Sequence, residues 1–179
     1  MENMIEFLKT RRSIRKFQDR PVEEEKIEAM MKAALLAPSS KSSRPWHFVV
    51  VDDKEKLQKM AESREMGSQF LGGAPLAVLV LAEEKKSNVW VEDCSIASII
   101  IQLAAQELGL GSCWVQMRCR KSADGASAED NVRHLLDIPS HYAVLSVVAV
   151  GHKAREAKPF DEEKMQWEKV HIGKFGGQE

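Results

Sequence analysis

Residues 93–108 read DCSIASIIIQLAAQEL, the stretch that constrains the fold most tightly. At helical spacing, Ile96, Ile99, Ile100 and Leu103 share one face, and Ala97, Ile101, Ala104, Ala105 and Leu108 share another. Ser95, Ser98, Gln102 and Gln106 leave only a narrow polar stripe. A helix that is apolar nearly all round must be covered on most sides. In a chain of 179 residues, packing part of that surface against a second copy is one way to cover it. Gly109 is placed to end the helix, because glycine accepts the left-handed backbone of a helix C-terminus. Leu110-Gly111 then lead into a strand expected from Ser112 to Arg118.

Upstream, Leu76–Leu81 is a continuous apolar run of strand length, the pattern of a strand covered on both faces. Trp46–Val51 reads as another strand, and Asp53 can cap a short helix that turns Leu57, Met60 and Ala61 one way. Pro21 followed by Val22-Glu-Glu-Glu opens a helix with acids in its first turn, where the macrodipole favours them. Ile27, Met30, Met31 and Ala34 keep helical spacing up to Ala37, and Pro38 stops the run. Downstream, Lys121–Ser127 is a loop, and Ser127-Ala-Glu-Asp130 has the form of a capping box for a helix ending near Leu136. Pro139 breaks that helix, and Tyr142–Val150 is a second buried strand. After Gly151 the chain is polar and charged, with isolated Phe160, Trp167 and Phe175 that are expected to lie on some surface. Four helices of consequence and about four strands, without strict alternation, make an α+β fold: one domain over 1–179, its sheet flanked by helices.

Composition narrows the function. A formal charge of -1 lacks the basic bias of a nucleic-acid binder. The longest apolar run, Ala74–Ala82, is far short of the roughly 20 residues of a membrane span. The opening MENMIEFLKT lacks the features of a signal peptide, and three cysteines without a CxxC pair fit a reduced, cytoplasmic setting. Five scattered histidines give no metal-binding pair. Neither GxGxxG nor GxxxxGK[ST] occurs, so no dinucleotide or P-loop turn is expected.

The run KTRRSIRKFQDR, from Lys9 to Arg20, holds six basic residues and one acid. Crowding Arg11, Arg12 and Arg15 repels unless something anionic compensates them. A phosphate-bearing small molecule would do so; a solvated basic loop is the other reading.

Three segments together resemble the FMN-dependent nitroreductase family, in its compact members. They are Thr10-Arg-Arg-Ser-Ile-Arg-Lys-Phe17, Ala37-Pro-Ser-Ser-Lys-Ser-Ser-Arg-Pro-Trp-His-Phe48, and Glu92-Asp-Cys94 leading to Gly109-Leu-Gly-Ser-Cys-Trp114. The resemblance implies a mixed, mainly antiparallel sheet flanked by helices, and a C-terminal extension, around Val170–Phe175, lying on the partner subunit. It also implies a homodimer with two FMN at the interface, passing electrons from NADH or NADPH to a small molecule such as a nitroaromatic, quinone or enone. By the same resemblance Arg11 contacts the FMN phosphate, Arg12 and Ser13 reach the phosphate or ribityl chain, and Arg15 lies near N1 and O2 of the ring. Pro38, Ser39 and Ser40 reach the flavin from the other subunit, with Ser42 where longer members often have Asn. Gln69 matches an amide at the pyrimidine edge or is an ordinary exposed residue. A backbone N–H among Val115, Gln116 and Met117 meets flavin N5 or O4, and Lys164 or Lys153 supplies a second cation to the phosphate. No side chain is expected to act in acid–base catalysis. Relatives on this scaffold that destroy flavin or remove halogens usually carry a lid insertion that this chain lacks, and a flavin-binding sensor without turnover is the rival from another class.

Overall fold

The computed structural model describes residues 3–177, in two compact units. The larger comprises residues 13–156, built on a sheet of four strands: β1 (Trp46–Val51), β2 (Leu76–Glu83), β3 (Gly111–Gln116) and β4 (Tyr142–Gly151). Their order across the sheet is β1-β2-β4-β3, and every neighbouring pair is antiparallel. The isolated bridge between Ser13 and Ser112 adds a parallel pairing.

The central strands are apolar at nearly every position because both their faces are covered. Leu76, Val78 and Val80 of β2 and Leu145, Val148 and Val150 of β4 pack beside helices α2 (Glu24–Leu35) and α4 (Trp90–Glu107). On the other face Ala77, Leu79, Val144 and Val147 meet helices α3 (Lys54–Glu62) and α5 (Ala128–Leu135). The helix starts follow their caps: Asp53 accepts from the Lys56 N–H, and Ser127 from the Asp130 N–H. The capping box is one-sided, since the Asp130 carboxylate turns instead to Arg133. β4 carries a bulge: Val80 faces Ser146 but Leu81 faces Val144, leaving Leu145 without a partner on β2. The Leu145 carbonyl instead accepts from both Met117 and Arg118 N–H groups, at 3.0 and 3.1 Å. That shared acceptor ends β3 at Gln116, two residues before the expected Arg118.

α4 turns inward the face that carries small and polar residues. Cys94, Ala97, Ser98, Ile101, Gln102 and Ala105 are buried, whereas Ile96 and Ile99 are 37% and 39% exposed. Small side chains let the helix approach the sheet closely. The Ser98 hydroxyl is satisfied there by the Cys94 carbonyl at 2.8 Å and by Ser146 Oγ, at the bulge, at 3.1 Å. Ile96 and Ile99 are therefore left on the outside of the single chain.

The smaller unit joins residues up to Arg12 with those from Ala157 onward. Its helix α1 (Met4–Thr10) is capped by Asn3, whose side chain accepts from the Ile5 N–H. Lys9 binds Glu6 and Glu162, at 3.0 and 2.6 Å, and its carbonyl accepts from the Phe160 N–H. Trp167 and Phe175 of the tail are 71% and 91% exposed in the single chain.

Two glycines bracket the turn from α4 into β3, for different reasons. Gly109 has φ +75°, its N–H goes to the Gln106 carbonyl, and the Leu110 N–H closes on the Ala105 carbonyl at 2.8 Å. A Cβ on Gly109 would meet nothing within 4 Å, so Gly109→Ala should cost about 1–2 kcal/mol from backbone strain alone. On Gly111 a Cβ would sit 2.8 Å from Ile14, whose N–H donates to the Ser112 carbonyl at 2.9 Å. Gly111→Ala should cost about 1–3 kcal/mol by overpacking and also release the Ile14 amide to exchange. Urea unfolding and amide exchange of both variants check this; equal Ile14 protection in the two would contradict it.

Candidate functional site

In the larger unit, residues 13–18 are laid against the end of the sheet. Ser13 bridges Ser112, Phe17 bridges Lys153, and the Gln18 N–H donates to the His152 carbonyl at 2.9 Å. Ile14 is buried and anchors the segment, so its neighbours Ser13 and Arg15 are exposed. The Arg15 guanidinium carbon lies 5.8 Å from the centre of the Phe70 ring, a cation–π contact that orients the charge. Neighbouring Gln69 is exposed, but its amide is already engaged. Its Oε1 accepts from the Gly67 N–H at 2.8 Å and its Nε2 donates to the Glu65 carbonyl at 3.0 Å, so it shapes its own turn.

β3 is an edge strand, and the direction of its peptide groups follows from its pairing. The Met117 N–H points to β4, and antiparallel alternation turns Val115 and Cys113 the same way. Ser112, Trp114 and Gln116 present their peptide groups to the outer edge. Two observed bonds agree: the Ser112 carbonyl accepts from Ile14, and the Gln116 carbonyl from Arg64 Nη1 at 2.9 Å. Among Val115, Gln116 and Met117, the Gln116 N–H is thus the one directed off the sheet. The Gln116 side chain is tied down by the Trp114 indole and the Arg118 carbonyl, at 3.2 and 3.1 Å.

The serine-rich loop after α2 is held in an uncommon conformation, with φ of 52°, 52° and 44° at Lys41, Ser42 and Arg44. Pro38, Ser40 and Ser42 are exposed, and Ser39 Oγ accepts from the Arg44 N–H at 3.0 Å. The Ser40 N–H donates to Asp93 Oδ1 at 2.8 Å. Asp93 is only 2% exposed and also receives the Ser87 hydroxyl at 3.1 Å and the Ser43 hydroxyl at 3.5 Å. Phe70 and Arg64 take part without having stood out in the sequence, and Asp93 stood there within the Glu92-Asp-Cys94 segment without a role. For Asp93 a hint existed, a carboxylate on an otherwise apolar helix; for the other two there was none.

In the smaller unit, Arg12 sits 5.9 Å from the Phe160 ring centre, and Arg11 is partly buried. Lys164 is exposed and paired with Asp161 at 3.4 Å, while Lys153, in the larger unit, is paired with Glu156 at 3.1 Å. Among the described residues, the carboxylate pairs of the basic run fall on Lys9 and Arg20, not on Arg11, Arg12 or Arg15. Hydrogen bonds that Lys9 donates to Glu162 and Glu6 raise its pKa above the ordinary value, so that charge is matched within the chain. Taken unit by unit, the Arg11 and Arg12 guanidinium groups of the smaller are donors suited to a phosphate, and Arg15, Ser13 and the outward Gln116 N–H of the larger are donors suited to a flavin's acceptor edge. Burial pushes the Cys94 thiol up to about 12, which removes it as a nucleophile.

A family model described as the nitroreductase family matches residues 8–65 and 61–152. A protein of Archaeoglobus fulgidus, provisionally named NADH dehydrogenase/NAD(P)H nitroreductase, is 39% identical over 98% of this chain and 100% of its own. An FMN reductase [NAD(P)H] of Bacillus subtilis is 27% identical over 88% of this chain and 69% of its own. Among solved structures, an FMN-dependent nitroreductase of Clostridium difficile R20291 superposes with a TM-score of 0.94 at 48% identity, covering 96% of this chain and 100% of that one. With a family match over most of its length and relatives alike from end to end, this chain belongs to the nitroreductase family.

Proposed function

We propose that the protein is an FMN-dependent NAD(P)H oxidoreductase that works as a homodimer. The observation that carries this is the Ser13–Arg15 segment on the outer edge of β3, with the Gln116 N–H turned to the same edge. When bound by these residues, FMN would supply the two-electron hydride chemistry between NADH or NADPH and an acceptor such as a nitroaromatic, quinone or enone. Arg11, with Arg12 and Ser13, holds the phosphate. Arg15, steadied by Phe70, stabilises negative charge that accumulates at the N1–O2 side of the ring. The Gln116 N–H serves the N5–O4 side. Ser39 and Ser40 come from the partner chain, and the exposed Ile96 and Ile99 of α4 give the two chains a reason to associate. The tail from Ala157, with Trp167 and Phe175 exposed, lies on the partner. Three cysteines without a CxxC pair agree with a cytoplasmic site of action.

Anaerobic stopped-flow mixing with NADH or NADPH tests the reading. The bound flavin should bleach rapidly and recover its colour with an acceptor. A flavin that stays oxidised would leave a binding module without turnover, and a chain that takes up no FMN would end the proposal. Arg11→Ala and Arg15→Ala should then fail differently. Loss of Arg11 should weaken FMN binding by about 1.5–3 kcal/mol, the worth of a hydrogen bond to a charged group. Loss of Arg15 should lower the flavin midpoint potential and slow hydride uptake even at saturating FMN. Identical behaviour of the two would reject the assignment of ring and phosphate ends.

The composite site has its own test. Equal amounts of an Arg15→Ala variant and a variant with its 38–40 loop replaced, each folded and nearly inactive, are refolded together. Half the dimers should be mixed, each with one site carrying both defects and one carrying none, restoring roughly one quarter of wild-type activity. No recovery, with mixed dimers confirmed by mass, would put the whole site within one chain.

A further inference from the structure

We infer that Asp93 is the positioning residue of the 38–44 loop, holding Ser39 and Ser40 where the flavin meets them; the second half of that statement rests on the function proposed above. A buried carboxylate is costly unless its oxygens are satisfied, and cations usually do this. Among the described residues no ion pair includes Asp93. Its donors are the Ser40 N–H at 2.8 Å and the hydroxyls of Ser87 and Ser43 at 3.1 and 3.5 Å. It lies in the first turn of α4, where the helix dipole favours an anion. Two separate pieces of chain, the 38–44 loop and the turn at Ser87, are thereby tied to one side chain of α4.

The loop needs such a tie. Lys41, Ser42 and Arg44 all have positive φ, a conformation that side chains rarely adopt and that persists only when its surroundings over-determine it. No secondary structure pairs the loop with the sheet, and its other internal bonds are short-range: Ser42 N–H to Ser39, Ser43 N–H to Ser40, and Arg44 N–H to Ser39 Oγ. The Ser40 N–H makes the shorter of the two bonds, the other from the Ser43 hydroxyl, that fasten this strained turn to Asp93. Asp93 touches no reacting group; it acts through Ser39 and Ser40.

The test compares amide exchange across residues 38–44, in the FMN-free protein, with FMN dissociation constants. Asp93→Ala should raise loop exchange at least tenfold and the FMN Kd by about tenfold, whereas Asp93→Asn, which keeps an acceptor for the Ser40 N–H, should stay within about threefold of wild type in Kd. Ser98→Ala removes another buried hydroxyl of α4 and should lower the melting temperature without moving the Kd. Should Asp93→Ala fail to fold, Ser40→Pro removes the donated N–H from the other side. Its loop exchange and Kd should exceed those of Ser40→Ala, which keeps the N–H. Unchanged loop exchange in Asp93→Ala or Ser40→Pro overturns the inference. So does a Kd that rises equally in Ser98→Ala, or one that does not move when the loop is released. A wild-type chain that binds no FMN sinks the functional proposal instead, and the exchange measurement on the same flavin-free protein still decides whether Asp93 holds the loop.

Discussion

The pairing of β2 with β4, covered on both faces, is the constraint from which the rest of the larger unit follows. Buried backbone groups must find partners, and two long apolar strands side by side satisfy one another. Helices then have to lie on both faces, because each face carries a row of valines, leucines and alanines. The two remaining strands become edges. β3 has part of its edge filled by Ser13 and Ile14 and part left facing outward, where the Gln116 N–H is directed.

Polar groups inside this core are few and are used as joints. Ser98 meets Ser146 at the β4 bulge, Leu145 offers one carbonyl to two successive amides, and Asp93 gathers three donors. Each joint connects elements that apolar packing alone would leave free to slide, since burial of hydrocarbon is not directional. α4 shows the outcome. Its small and hydrogen-bonding face is drawn to the sheet together with Ile101, and Ile96 and Ile99, though more hydrophobic, are turned out.

The charges divide in a similar way. Lys9 and Arg20 are neutralised within the chain, by Glu162 and Glu6 and by Glu23. Arg12 and Arg15 are placed against Phe160 and Phe70 instead, contacts that orient a guanidinium without cancelling its charge. An arginine held in this manner keeps its hydrogen-bond donors available for an anion.

The sequence by itself determined the elements and their order. Trp46–Val51 is a strand with the expected bounds, Asp53 and Ser127 cap the helices expected of them, and Gly109 ends α4. These outcomes depend on neighbours a few residues apart, so hydrophobic period, caps and chain-breaking residues record them directly. The basic run and the serine loop were legible as candidate site material for the same reason, through the residue types their motifs display. Only the tertiary structure decided which face of α4 went inward, that the Gln69 amide closes its own turn, and that the Gln116 amide points off the sheet. It alone joined Ser40 to Asp93 across 53 residues and Ser98 to Ser146 across 48. Such contacts leave no local pattern, because a serine or aspartate reads the same whether water or a distant strand satisfies it, and the choice is made only when the sheet brings the two ends together.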